Sequence, residues 1–292
     1  MAIEYRERKS KFIHPFINTA KDVICPQFYI LAWAHKCNFK CSYCFLALTF
    51  RYENTPIVYT NYDNILKEVT QWLFKTDLPS ILNCGELSDS FMLQSNQMLA
   101  DLMDLFEQQS KHKLLFLTKS NIIPKEIEER IYTKKYNQTI FSFSINSTKV
   151  SELYEVNAPS PFNRLSCAYI LKKHNQCIRI RIDPIIEIKD YKEEYAPLIS
   201  VLNDFLMPER ITLGSLRFFK NLPNFTIDKD VFKHSVDHSD GDGRLRIPFE
   251  KRTEIYKWFK DNLKCEEIAL CKETIDCHKV VTGIQQKCNC TL

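Results

Sequence analysis

Three cysteines stand in the run Cys37-Asn-Phe-Lys-Cys41-Ser-Tyr-Cys44, a C-x-x-x-C-x-x-C spacing. Three thiolates on one tight loop can each take one iron of a 4Fe–4S cubane, a cluster that needs four cysteines when the protein ligates it fully. The nearest other cysteines, Cys25 and Cys84, lie outside the loop. One iron would therefore be left open, and an open coordination position is where metal sites do catalysis. Two other readings stay open. Zinc usually takes a second C-x-x-C pair further along, and none follows in range. Three buried packing cysteines would be an odd choice with Asn38 and Lys40 between them.

Such a loop needs a rigid support. Apolar runs of strand length alternate with stretches of helical period. Phe28–Ala34 reads as a first strand, ending just before the cysteines. Ser80–Cys84, Lys113–Thr118, Thr139–Ile145, Cys177–Asp183 and Ile211–Phe218 read as five more. Helices are predicted over Tyr62–Phe74, Met92–Gln108, from Pro124 onward, and over Asn163–His174, Tyr191–Leu206 and Phe249–Leu263. Strand and helix in alternation predict a parallel sheet with right-handed crossovers. Six units rather than eight predict an α/β fold, a partial (β/α)6 TIM-like barrel, with a cysteine-rich C-terminal extension. The expected division is an N-terminal extension (1–27), a barrel core (28–220), and a C-terminal helix and tail packing on it (221–292). In barrels of parallel strands, functional groups sit just after the C-terminal ends of strands.

Composition narrows the function. With 45% hydrophobic residues the 292-residue chain can bury a sizeable core. It has 5 glycines and neither G-x-G-x-x-G nor a phosphate-binding P-loop, which argues against a dinucleotide or P-loop enzyme. A net charge of +4 and a pI near 8.3 are weak for a dedicated duplex binder. Residues 1–11 are charged and lack a signal peptide's apolar region, and no run is long enough to span a membrane. The expectation is a cytoplasmic protein, in which 12 cysteines serve as packing, ligands or catalysts rather than disulfides.

The cluster loop after the first strand of a β/α array resembles that of radical S-adenosylmethionine enzymes. In that superfamily the amino and carboxylate groups of S-adenosylmethionine chelate the open iron, and its reductive cleavage yields a 5′-deoxyadenosyl radical. Further runs narrow the resemblance to the spore photoproduct lyase-like branch: Gly85-Glu-Leu-Ser-Asp89-Ser, Leu117-Thr-Lys119-Ser120, Phe141-Ser-Phe-Ser-Ile-Asn146, Arg181-Ile-Asp183-Pro-Ile, Leu270-Cys-Lys-Glu-Thr274 and Cys288-Asn-Cys290. The resemblance implies a metal-binding radical lyase whose Cys37, Cys41 and Cys44 hold the cluster, with Tyr43 approaching the adenine. Glu86, Ser88 and Asp89 would meet the methionyl or ribose part, Lys119 the carboxylate, and Ser142 or Ser144 the ribose. It also implies an electron donor such as flavodoxin or ferredoxin.

The chain departs from the name-giving enzymes in two places. They carry a cysteine just before the Ser-Asp pair, where this chain has Glu86, a candidate catalytic residue; Cys84 is two residues earlier, about 7 Å along a strand. They carry a tyrosine after the cluster loop, where this chain has Phe45. The expectation is radical chemistry kept and substrate changed to a small modified base, best matched by queuine and its cleavage to an aminomethyl-deazaguanine (queuine salvage). Nucleic acid is the less favoured partner, and repair of thymine dimers in DNA is the alternative. A non-catalytic iron–sulfur or zinc module is a third reading. A deazaguanine edge presents N–H donors that a carboxylate would read, so Asp183, Glu187, Asp240 and Asp242 are candidates. The tail's Cys265, Cys271, Cys277, Cys288, Cys290 and His278 are expected to pack rather than to bind a second metal, and Cys167 and Cys177 to lie in the core.

Overall fold

The computed structural model describes residues 2–16, 20–92, 96–234, 238–239, 242–284 and 287–292. Eight strands form its main sheet: β1 (Ile13–Phe16), β2 (Phe28–Leu31), β3 (Ile81–Asn83), β4 (Lys113–Thr118), β5 (Thr139–Ser144), β6 (Cys177–Ile185), β7 (Arg210–Ser215) and β8 (Ile268–Leu270). They lie side by side in chain order. Each neighbouring pair from β2 to β8 is parallel, and β1 runs antiparallel to β2. Among the described residues β1 and β8 do not pair, so the sheet curls into an open, partial barrel of mixed α/β type.

The crossovers are α1 (Tyr62–Lys75), α2 (Asn96–Phe106), α3 (Lys125–Ile131), α4 (Thr148–Tyr154), α5 (Pro161–Lys173), α6 (Tyr191–Val201) and α7 (Phe249–Asn262); α8 (Ile275–Val281) follows β8. Ser147 and Ser160 cap α4 and α5 by accepting from Val150 N and Asn163 N, and Pro161 fills the first turn of α5, where a missing N–H costs nothing.

Seven parallel strands replace the six expected. The seventh, β8, is three residues long and too short for a periodic signal, and it comes from the tail. β1 comes from the N-terminal residues.

Side-chain alternation sorts the two faces. On β5, Phe141 and Phe143 pack outward among the helices, whereas Ile140 joins an inner cluster with Phe28, Ile30, Ile81, Leu115 and Ala269. Ser142 and Ser144 continue the inward row above Ile140. On β6 the inward row includes three charges, Arg179, Arg181 and Asp183. Cys288 and Cys290 complete the inner cluster, and Asn289 donates from Nδ2 to Ser142 Oγ (2.8 Å) and to the Ile180 carbonyl (2.9 Å). Arg179 and Arg210 donate to main-chain carbonyls of residues 288–292. The tail thus plugs the floor of the barrel. No helix of the described residues is long and apolar enough to cross a membrane.

Candidate active site

The cluster loop leaves β2 and is anchored by residues further along the chain, where Thr226 Oγ1 donates to the Ser42 carbonyl. Lys40–Cys41 pairs antiparallel with Glu155–Val156, Cys41 facing Glu155, and Ser42 N donates to the Tyr154 carbonyl at 2.8 Å. Tyr43 and Arg164 both donate to the Glu155 carboxylate, and Lys119 Nζ lies 3.9 Å from it. Burial pushes the Glu155 carboxyl up, but Lys119, Arg164 and Tyr43 outweigh it and hold it below the usual carboxylate range.

Cys37, Cys41 and Cys44 are free thiols that face one cavity of about 310 Å³. Three thiolates on one loop fit a cubane, in which each takes its own iron and a fourth iron is left open. Burial pushes all three thiols up, Cys41 to about 12, so without iron they keep their protons, and iron binding would displace those protons to solvent. Two buried polar atoms on the cavity wall, Ser88 Oγ and Arg181 Nε, have no partner. A polar ligand there would satisfy them. The donor set and the orphaned atoms fit an open-iron cluster with S-adenosylmethionine beside it.

The strand-end rule finds most of this wall. Tyr43, Glu86, Ser88, Asp89, Lys119, Ser144 and Asp183 all line the cavity with the three cysteines. Gly85 lets the β3 end press against β4, since a Cβ there would stand 2.4 Å from the Leu117 carbonyl. Lys119 Nζ donates to Ser144 Oγ at 2.6 Å and lies over the Tyr43 ring at 5.7 Å. Glu86 pairs with Lys272 at 3.5 Å. Asp89 lines the cavity with its oxygens already engaged: it accepts from Lys119 N (2.6 Å), Thr118 Oγ1 (2.7 Å) and Phe91 N (2.9 Å), which makes it a brace for the loop after β4.

Other expected site residues stand elsewhere or are occupied. Ser142 lies one inward position below Ser144 and accepts from Asn289, so it belongs to the floor. Asp183 reaches the cavity, but its two oxygens accept from Arg217 at 2.9 and 3.0 Å, so it is not a free carboxylate for a base edge. Glu187 lies past the end of β6 and pairs with Lys251. Asp242 accepts from Arg246. Neither lines the cavity. Asp240 lies outside the described residues. Cys84 is buried away from the cavity, its carbonyl accepting from Trp33 Nε1 at 2.8 Å, whereas Phe45 does line it.

Arg181, Arg217, Arg244, Cys271 and Lys272 also line the cavity. Arg244 sits over the Phe219 ring at 5.2 Å, an aromatic and cationic corner of the cavity wall. Cys271 and Lys272 directly follow β8, so the rule that found Glu86 and Lys119 would have found them had that strand been recognised. Arg217 stands two residues past the end of β7, but the strand expected from the sequence runs to Phe218 and so places Arg217 inside it.

A family model described as spore photoproduct lyase matches residues 5–253. Solved spore photoproduct lyase structures share the fold. A variant with bound AdoMet and dinucleoside spore photoproduct superposes with a TM-score of 0.71 at 18% identity, over 92% of this chain and 81% of that one. The enzyme complexed with dinucleoside spore photoproduct gives 0.71 at 17% identity, with the same coverage. Streptococcus suis SuiB bound to S-adenosylmethionine is more distant, at 0.53 and 12% identity, over 88% of this chain and 52% of that one. No curated protein matches.

Proposed function

The chain belongs to the spore photoproduct lyase family and is a radical S-adenosylmethionine lyase with a 4Fe–4S cluster, and on that premise we propose that it acts on a thymine photoproduct of DNA. One observation carries the reading: the three cluster cysteines open onto the same cavity as the Arg217, Arg244 and Phe219 wall. Guanidinium groups and an aromatic face suit a photoproduct within a DNA strand, whose bases offer ring faces and whose backbone is anionic. A solved relative binds the dinucleoside spore photoproduct.

When bound, the cluster and S-adenosylmethionine supply hydrogen-atom abstraction. The chain's own residues bind and position. Cys37, Cys41 and Cys44 hold the cluster, Tyr43 flanks the adenine, and Lys119 neutralises the ligand's carboxylate. Ser88 and Ser144 offer hydroxyls to its ribose or methionyl part. Leu46, Leu48 and Leu222 line the cavity as apolar cover against water. Reduction of the cluster would call for an electron donor of the flavodoxin or ferredoxin type.

A second reading, cleavage of free queuine, rests on Glu86: a carboxylate stands in the cavity where the name-giving enzymes carry a cysteine, and it can accept from the N–H donors of a deazaguanine edge. The comparisons lend queuine no support, so it ranks below the photoproduct. Oxygen-free protein with dithionite and S-adenosylmethionine should convert dinucleoside spore photoproduct to two thymidine units. Turnover of queuine with the dinucleoside left intact would reverse the order.

A further inference from the structure

Bond cleavage by hydrogen abstraction leaves a product radical, which needs a hydrogen atom from a weak bond inside the cavity. Thiol S–H and tyrosine O–H are the weak bonds that side chains offer, and Tyr43, the tyrosine that lines the cavity among the described residues, commits its O–H to Glu155. Among the described residues four cysteines line the cavity, and the cluster claims Cys37, Cys41 and Cys44. The fourth is Cys271, one residue past β8 and 7% exposed. Its Sγ accepts from Arg217 Nη2 at 3.3 Å, beside the Asp183 carboxylate. Burial, reinforced by Asp183, pushes its thiol up to about 12, so the hydrogen stays on sulfur at neutral pH. The nearby cysteines are less suited. Cys290 faces a separate small cavity, where Cys288 and Arg181 bring it down to about 6 and favour the thiolate. Cys84 lines neither cavity, and Phe45 has no hydroxyl. Ser88 Oγ and Arg181 Nε, both buried and unpartnered, line the same cavity as Cys271, so a polar ligand there would satisfy them.

We propose that Cys271 is the hydrogen-atom donor that quenches the product radical, an assignment that rests on the radical lyase reading. The Cys271 S–H bond breaks and a C–H bond forms on the product, leaving a sulfur radical. That radical regains one electron from the low-potential donor that also reduces the cluster, and one proton from water. Each turnover then consumes one S-adenosylmethionine and two electrons, and the hydrogen taken from substrate leaves in 5′-deoxyadenosine. The donor stands one residue past β8, next to Lys272, which pairs at 3.5 Å with Glu86, the residue at the β3 end that replaces a thiol.

The test uses the cluster-loaded full chain in oxygen-free D2O with dithionite, S-adenosylmethionine and dinucleoside spore photoproduct. It compares the wild type with Cys271→Ser and Cys271→Ala; serine keeps the shape but has too strong an O–H bond to donate. The wild type should place one deuterium in the product. Both variants should hold the dinucleoside within about twofold of wild type by equilibrium dialysis and still release 5′-deoxyadenosine. Their product should fall about a hundredfold and carry no deuterium from a thiol. Deuterated product from the serine variant at the wild-type rate overturns the assignment. If the wild type leaves the dinucleoside intact, the substrate reading fails and Cys271 is judged without substrate. Reductive cleavage of S-adenosylmethionine in D2O should then deuterate 5′-deoxyadenosine in the wild type and not in Cys271→Ser, and equal deuterium in both overturns the donor.

Discussion

Glu155 lies directly opposite Cys41 in the short ladder that anchors the cluster loop, and its carboxylate is shared by Tyr43, two residues further along that loop, and Arg164. A fully buried ion pair thus clamps the strand that presents a cluster ligand. Glu155→Gln keeps the volume and leaves the Arg164 guanidinium without its counter-charge. Breaking a buried pair from one side costs about 3–5 kcal/mol. Urea unfolding of the metal-free chain should show a loss of that order, and iron retained after reconstitution should fall with it. Unchanged iron content and stability would mean that the clamp contributes nothing.

Asp183 and Arg217 form the second clamp, and Gly214 makes room for it. A Cβ at 214 would stand 2.3 Å from Asp183 Oδ1. Gly214→Ala should push the carboxylate off Arg217, and Asp183→Asn should remove its charge without changing its shape. Hydrogen bonds to charged groups are worth about 1.5–3 kcal/mol, so both variants should lose roughly tenfold to a hundredfold in kcat/KM for the dinucleoside while keeping their cluster absorbance. Full activity in Asp183→Asn would remove the pair from the substrate wall.

Much of this was legible because the strands carry period-two patterns. The run Cys177-Ile-Arg-Ile-Arg-Ile-Asp183 alternates isoleucine with polar residues, and the polar row faces the barrel interior. Position along that row was not legible: Ser142 and Ser144 look alike in sequence, yet one meets the floor plug and the other the cavity. The difference is set by Asn289, which reaches Ser142 from 147 residues away. The carboxylates failed as candidates for a related reason. A sequence does not show that Arg217 occupies Asp183 or that Lys251 draws Glu187 to α7. Glu155 went unnoticed because its partners are scattered over residues 43 to 164 and belong to no motif.

Acid should unfold the metal-free chain through its clamps. Burial pushes Asp183 up, but Arg217 and Arg181 outweigh it and hold it far below the usual range. Glu209 falls to about 2, burial being outweighed by Arg179. A carboxyl whose folded value lies below its unfolded one, about 3.9 to 4.3, stabilises fully above that value and loses the contribution as pH falls toward the folded one. Asp89, pushed up by burial, acts in the opposite sense and softens the decline. Stability by urea titration should hold from about pH 7 to 5 and drop between about 4 and 2. Asp183→Asn should flatten that drop, and an unaltered slope would show that the Arg217 pair does not control it.

Asn289 closes the floor with three side-chain hydrogen bonds, donating to Ser142 and Ile180 and accepting from Thr212 Oγ1 at 2.7 Å, and its own N–H donates to that hydroxyl at 2.8 Å. Asn289→Ala removes the amide from these buried partners. Each unsatisfied buried group costs about 1–3 kcal/mol, so the variant should lose about 3 kcal/mol or more. At roughly 2–4 °C per kcal/mol for a chain somewhat smaller than this one, its Tm should fall by several degrees. Ser144, one inward position higher, keeps its bond to Lys119, so S-adenosylmethionine affinity measured well below the melting range should stay near wild type. A Tm within a degree of wild type would mean that water takes the place of the amide. A large loss of affinity would mean that the floor and the cavity are one structural unit.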